Sequence, residues 1–443
     1  MKRLALAAAL LCTLALPALA HAELVPGTVG AQDALLALEP DGSPLVAYVD
    51  ATGAVGVATR SADAVWSSRS VPVRAGSAAL VGLAGTPHGT VLLVEATSGA
   101  WLQLAEQTPS GWRVRTVASA PAGGILGFAG LAIDRQARPL VAYTTLLASR
   151  QSSLRLVHED AAGRLVGEAV TRKGFPKSNE IPMAAPVVLP NGTERVVEVY
   201  SGAAIEWART KSGKDWTGQF IYANSLGQPA GTVHAIARPG GGVWSAWTEL
   251  FPSYNESHAV LALHLDGEDA AVLSHHALVI GLAQGATGAM VAGDDYVDLE
   301  GVRTVYAGVV LDSAGTAAEL AGNLEGYAID ATGAQDYLLL DGTGLGWYRA
   351  ASPPAASVAL AATTSGASFT LTGRVAGVQG GSVELWRETQ TGAELAATAP
   401  LAADGSFTFT DTPPARPLTY RVVYRDPVTQ LPIASLLRDV LGG

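Results

Sequence analysis

One hairpin-like pattern recurs seven times between residues 32 and 345, and this repetition restricts the fold more than any other property of the chain. The copies read ALLALEPDGSPLVAYVD from Ala34, ALVGLAGTPHGTVLLVEA from Ala79, GLAIDRQARPLVAYTT from Gly130 and APVVLPNGTERVVEVY from Ala185. Three more follow, HAIARPGGGVWSAWTE from His234, ALVIGLAQGATGAMVAGDD from Ala277 and YAIDATGAQDYLLLD from Tyr327. Each joins a short apolar run to a second run rich in β-branched and aromatic residues through a turn of Gly, Pro, Asn or Asp. Turn centres fall near Gly42, His88, Ala137, Gly192, Gly241, Gly288 and Gly333, at spacings of 45 to 55 residues. Two further strand-like runs separate the copies, such as Val55 to Arg60 and Trp66 to Val73. Four strands at this period make one blade of a β-propeller. Sustained 3.6-residue amphipathicity is absent, which excludes helical solenoids.

The last copy supplies only three strands before Pro353-Pro354, while the segment Leu24 to Gly30 stands unassigned ahead of the first. Pairing the two would close the ring and remove its free edges. The expected fold is therefore all-β, with a seven-bladed β-propeller over residues 23–352. From Ala355 the texture changes to alternating strands such as SVELWRET, DGSFTFTD and LTYRVVYRD. This predicts a C-terminal immunoglobulin-like β-sandwich over 355–443. The run Phe407 to Asp411, Pro413-Pro414 and Tyr420 resembles the end of bacterial immunoglobulin-like domains, and the resemblance implies a tyrosine-corner role for Tyr420.

The hairpin carried by Ala37 to Asp50 and by Asp134 to Tyr143 resembles the repeat of secreted bacterial propellers related to the sialidase-like superfamily. The likeness covers most of residues 24 to 352 and concerns architecture. Sialidase activity would bring an arginine cluster, a Tyr-Glu pair and an Asp acid, with Asp-boxes of the form S-x-D-x-G-x-T-W. Ser61-Ala-Asp63-Ala-Val-Trp66 lacks the glycine and is one residue short, and no arginine occupies Ala34 to Leu38. The sequence argues against that activity.

Lys2 and Arg3, the apolar run Leu4 to Leu19 and the small-x-small Ala20-His21-Ala22 predict a signal peptide over residues 1–22, and hence a protein acting in the periplasm or outside the cell. Cys12 is the only cysteine, so the mature chain has no disulfide and no thiol chemistry. Without Lys2 and Arg3 there are 26 basic and 39 acidic residues, a net charge of −13. That balance repels nucleic acid, and no second apolar stretch is long enough for a membrane span. Extracellular glycans or proteins remain as partners.

No G-x-S-x-G, H-E-x-x-H, P-loop or dinucleotide motif is present, and no cofactor is implied. His275 and His276 are adjacent, so on a strand they point to opposite faces and make a poor chelate. What recurs is an acid near the end of the second strand of a repeat: Asp50, Glu95, Glu249, Asp295 and Asp341. Aromatics accompany them at Tyr48, Tyr143, Tyr200, Trp247 and Tyr296. Tyr48 with Asp50, Glu198 with Tyr200, and Trp247 with Glu249 stand two apart and share a strand face. These residues are the candidate ligand site, an acidic and aromatic mouth suited to a neutral sugar, with Tyr48 and Trp247 expected to be exposed. The competing reading makes the acids turn caps and the aromatics wedges between blades. A second candidate is the acidic loop at Asp294, Asp295, Asp298 and Glu300, where calcium is the cation such oxygens would take. Three function classes follow: a non-catalytic binding protein, a glycoside hydrolase or lyase with an unfamiliar site, and an extracellular scaffold.

Overall fold

The computed structural model describes residues 23–436 except 75–77, 150, 171–180, 201–202, 211–212, 214, 224–227, 252–255, 265–270, 276, 286–287, 300–302, 313–316, 342–343, 352–353, 355, 379, 391, 416 and 418. The expected signal peptide and the last seven residues lie outside this range. Among the described residues every regular element is a strand.

The repeat is a repeat of sheets. Sheet one is formed by Asp33–Leu38, Pro44–Val49, Val55–Arg60 and Trp66–Ser70, each antiparallel to the next. Six more sheets follow in chain order among the described residues, with first strands at Ala78–Thr86, Gly130–Ile133, Met183–Val188, Gln228–Ala237, Ala277–Gln284 and Asn323–Ile329. In the third, Gly124–Leu126 precedes Gly130–Ile133 on the same partner, Pro139–Leu147. Each first strand lies against the first strand of the following sheet, and that of sheet seven returns to that of sheet one. A cycle of sheets around an axis lined by their first strands is the β-propeller architecture.

Turn chemistry explains why these hairpins form where they do. Asp50, Asp134, Asp160 and Asp330 each open a tight turn, and the Oδ1 of each accepts backbone N–H groups two and four residues onward at 2.8–3.0 Å. The turn then needs a residue with positive φ, supplied by Gly53 at 82° and Gly333 at 87°. The pentapeptide DATGA occurs at both places, Asp50–Ala54 and Asp330–Ala334.

The ring is closed by its first strand. Glu23–Leu24 pairs with Gly344–Ala350, so sheet seven gains its fourth strand from the start of the chain. Val25 N donates to Leu345 O at 2.9 Å, and Leu345 N donates to Thr28 Oγ1 at 3.1 Å. The Glu23 carboxylate receives Arg60 Nε and Nη2 at 2.7 and 2.6 Å and Trp66 Nε1 at 2.7 Å, fastening the same segment to sheet one.

Beyond Ala350 two sheets face each other. One holds Ser357–Ser365, Ser368–Ala376 and Ser406–Asp411; the other holds Ala393–Pro400, Ser382–Glu388, Thr419–Arg425 and Pro432–Leu436. The second sheet also joins the outer strand of sheet six, Ala317–Ala321, through the pair Leu320–Ile433. Their cores are continuous: Leu320, Tyr327 and Tyr348 of the ring share one apolar cluster with Leu371, Phe407 and Ile433. Tyr420 is buried and donates its hydroxyl to Asp411 Oδ2 at 2.7 Å, while Arg387 grips the same carboxylate at 2.8 and 2.6 Å. Its partner is thus a side chain, where a tyrosine corner would use backbone.

Candidate functional site

The first strands of all seven sheets line a central channel of about 250 Å³. At one end it opens into a cavity of about 520 Å³ whose walls include Asp33, Glu95, Phe128, Thr232, His234, Thr248 and Glu325. Three local irregularities place side chains there. In the first strands of sheets two, six and seven the register shifts between Leu80 and Gly82, Val279 and Gly281, and Leu324 and Gly326. A bulge leaves one residue unpaired and re-aims it. The three bulged residues are Val81, Ile280 and Glu325, and all three line the cavity. An apolar residue suffices at two of these positions, so a glutamate at the third is not a demand of the fold.

The glycines after the bulges let neighbouring first strands approach: a Cβ at Gly82 would stand 2.5 Å from Leu131 Cβ, and one at Gly326 the same distance from Leu36 Cβ. In sheet three the first strand is interrupted at Gly127-Phe128-Ala129, where a Cβ on Gly127 would collide with Thr144 Oγ1. The interruption turns Phe128 outward, and the residue is 38% exposed at the cavity rim.

The acids differ in how they are held. Asp33 Oδ2 accepts Leu80 N at 2.7 Å, and burial raises its carboxyl above the usual range. Glu325 accepts Asn323 Nδ2 at 2.6 Å; burial first, and the charge of Asp33 second, push its carboxyl up to about 7. Glu95 is 8% exposed and has no hydrogen bond or ion pair among the described residues. Burial alone raises it to about 8. His234 is held neutral, lowered to about 4 by burial, with Nε2 3.0 Å from Thr232 Oγ1.

Glu95 is set apart by what its counterparts do. Glu95, Thr248 and Asp294 oppose Ala79, Ala230 and Leu278, the residues before the irregular stretches of sheets two, five and six. Thr248 Oγ1 accepts Val279 N and Asp294 Oδ1 accepts Leu324 N, both at 2.7 Å, so each latches its sheet to the next. The strand that Glu95 would latch is the one broken at Phe128.

Of the expected ligand residues with described side chains, the structure brings only Glu95 to this cavity. Tyr48 is buried between sheets one and seven with Val46, Leu338 and Trp347, and Asp50 caps its own turn. Trp247 is 0% exposed, packed with Met183, Val197 and Val243, its ring 5.4 Å from Tyr222. The expected exposure of Tyr48 and Trp247 is therefore corrected: both are wedges between sheets. Glu249 accepts Tyr222 Oη at 2.9 Å and Trp247 Nε1 at 3.4 Å. Glu198 accepts Trp207 Nε1 at 2.9 Å, its carboxyl pushed to about 7 by burial, and Tyr200 packs beside that core.

The expected acidic loop is in fact part of a strand, Ala289–Leu299, because Tyr296 and Val297 pair with Tyr306 and Val305. Asp294 is buried on its latch. Asp295 and Asp298 are described as backbone only, and Glu300 lies outside the described residues. No three potential metal ligands cluster among the described residues.

Fold and site together define a class: an all-β propeller with a cavity of small-molecule size at one end of its channel. No protein-family model matches the chain, and no curated protein matches it in sequence. Among solved structures it is similar to AofleA from Arthrobotrys oligospora, at 11% identity and TM-score 0.43 over 68% of this chain and 90% of that one. It is also similar to the Cps50 (Swd1) β-propeller domain of Myceliophteria thermophila, at 12% identity and TM-score 0.45 over 72% and 96%. Aleuria aurantia lectin, solved with Fucalpha1-6GlcNAc, gives 10% identity and TM-score 0.39 over 86% and 98%. Likenesses this distant carry no inference about ligand, and the propeller assignment rests on the chain's own strand order.

Proposed function

We propose that this chain is a secreted, non-catalytic binding protein that takes a hydroxyl-bearing ligand of the glycan type in the cavity at the channel mouth. The observation that carries this is the convergence, on one cavity of about 520 Å³, of three carboxyl groups, three threonines and an exposed aromatic ring. Carboxyl and hydroxyl groups bond sugar hydroxyls, and an exposed ring stacks on the apolar face of a pyranose. In this reading the seven sheets are the blades of a seven-bladed propeller related to the sialidase-like superfamily, spanning residues 23–352. Residues 355–443 form an immunoglobulin-like module, and export follows cleavage after Ala22, so sequencing the exported protein from its N-terminus should give Glu23 first.

A glycan array read beside a reducing-sugar assay tests the function. Binding without release supports it, and Phe128→Ala should weaken binding about fivefold, a stacking contribution of about 1 kcal/mol, with only a small fall in melting temperature because the side chain is already part exposed. Binding unaffected by Phe128→Ala would move the ligand elsewhere. One observation favours hydrolysis as a second reading: burial first, and the neighbouring Asp33 second, keep a proton on Glu325, so that one acid holds a proton beside another as in acid-base glycosidases. Sugar release lost in both Asp33→Asn and Glu325→Gln would establish it.

A further inference from the structure

Glu95 is a buried acid with no hydrogen bond or ion pair among the described residues, and its surroundings specify what would complete it. From sheet one Asp33 lines the same cavity, from sheet seven Glu325, and from sheet five His234, which is neutral. From sheet three, Tyr143 lies in the core packed against the strand of Glu95, with its hydroxyl engaged by Arg155. Among the described residues no lysine or arginine lines the cavity, and the remaining wall is largely aliphatic.

A neutral sugar would leave this imbalance in place. An ammonium group would remove it, since a cation bonded to a desolvated carboxylate offsets the burial of both, and a ring at the rim adds cation–π attraction. We propose that the ligand of the mouth cavity is a hydroxylated amine, an amino sugar in class, whose ammonium group bonds Glu95 with Asp33 and Glu325 around it and Phe128 beside it. This rests on the mouth cavity being the binding site. It adds that recognition turns on one positive charge.

Glucosamine, glucose and N-acetylglucosamine share a ring and differ in that charge, which makes them the probes. Titration calorimetry of the exported protein at pH 6.5 should give at least about tenfold tighter binding of glucosamine than of the other two, as expected for one charge-assisted contact. Glu95→Gln, which keeps the shape of the protonated side chain, should remove that preference with a melting temperature no lower than that of wild type. Because Glu95 starts protonated, wild type should release up to about one proton on binding glucosamine, read from the dependence of heat on buffer, and Glu95→Gln should release none. Equal affinity for all three sugars, still weakened by Phe128→Ala, would overturn the amine while leaving the mouth as a glycan site. Binding of none of them would overturn the amino-sugar proposal, and an array with no hit sensitive to Phe128→Ala would overturn the mouth reading as well.

Discussion

Trp247 and Glu325 illustrate at the scale of single residues how burial separates a structural role from a functional one. Trp247 is enclosed between sheets four and five, so Trp247→Ala should cost about 3–5 kcal/mol in denaturant unfolding. Retained stability would mean the cavity had collapsed around a smaller side chain. Glu325 has the opposite expectation. Its bulge is filled by Val81 and Ile280 in two other sheets, and its carboxyl is kept largely protonated at a desolvation cost. Glu325→Val should therefore raise the melting temperature while abolishing ligand binding. The same raised carboxyls set a pH dependence. Glu95 titrates at about 8 and Glu198, Glu325 and Asp336 at about 7 in the folded chain, whereas unfolded carboxyls titrate near about 4. The folded state binds the extra protons, so the stability these groups contribute is complete only below the unfolded value, and it is lost progressively as pH rises from there to the folded values of 7 to 8. His234 is neutral in both states above its ordinary range and adds no slope there. Melting temperatures should fall from about pH 6.5 to about 8 and level off above that, with a smaller fall in Glu95→Gln.

At the scale of elements, the latches between sheets govern how firmly the ring is held. Thr248→Val keeps the volume and removes the acceptor of Val279 N, leaving a buried donor unsatisfied at a cost of about 1–3 kcal/mol. Hydrogen exchange should report it as lost protection in the first strand of sheet six. The elements themselves were legible in the sequence, because each hairpin is announced by turn residues with a mechanism, as in the DATGA repeats. Closure by the N-terminal strand was legible from the three-strand final copy. The mouth was legible only in part. A bulge adds one residue to a first strand, and side chains alternate with period two, so one residue of misalignment exchanges the two faces of the second strand. Placing Glu249 level with Glu95 selected the face toward the preceding sheet, whereas by register the true equivalents of Glu95 in sheets five and six are Thr248 and Asp294. The usable signal was the recurring apolar-x-Gly triplet, LVG at Leu80, VIG at Val279 and LEG at Leu324, with its one charged member.

Across the whole molecule, the C-terminal module and the ring share one apolar core and should unfold as one body. Their shared cluster joins Leu320, Tyr327 and Tyr348 to Phe407 and Ile433. A chain ending at Pro354 would expose that surface, so it should melt at lower temperature and bind a hydrophobic dye. Calorimetry of the full chain should give a single transition; two well-separated transitions would show that the module unfolds independently.

The stitch between Thr28 and Leu345 joins positions 317 apart, and this fixes the order of events in the life of the chain. The strand Glu23–Leu24 must wait for nearly the whole ring before it finds its partner, and contacts of such sequence separation are the slowest to form. Until then the strand Gly344–Ala350 keeps an open edge able to recruit a strand from another molecule. The bond that finishes the ring is thus also the point at which an unfinished chain is most exposed to association with its own copies.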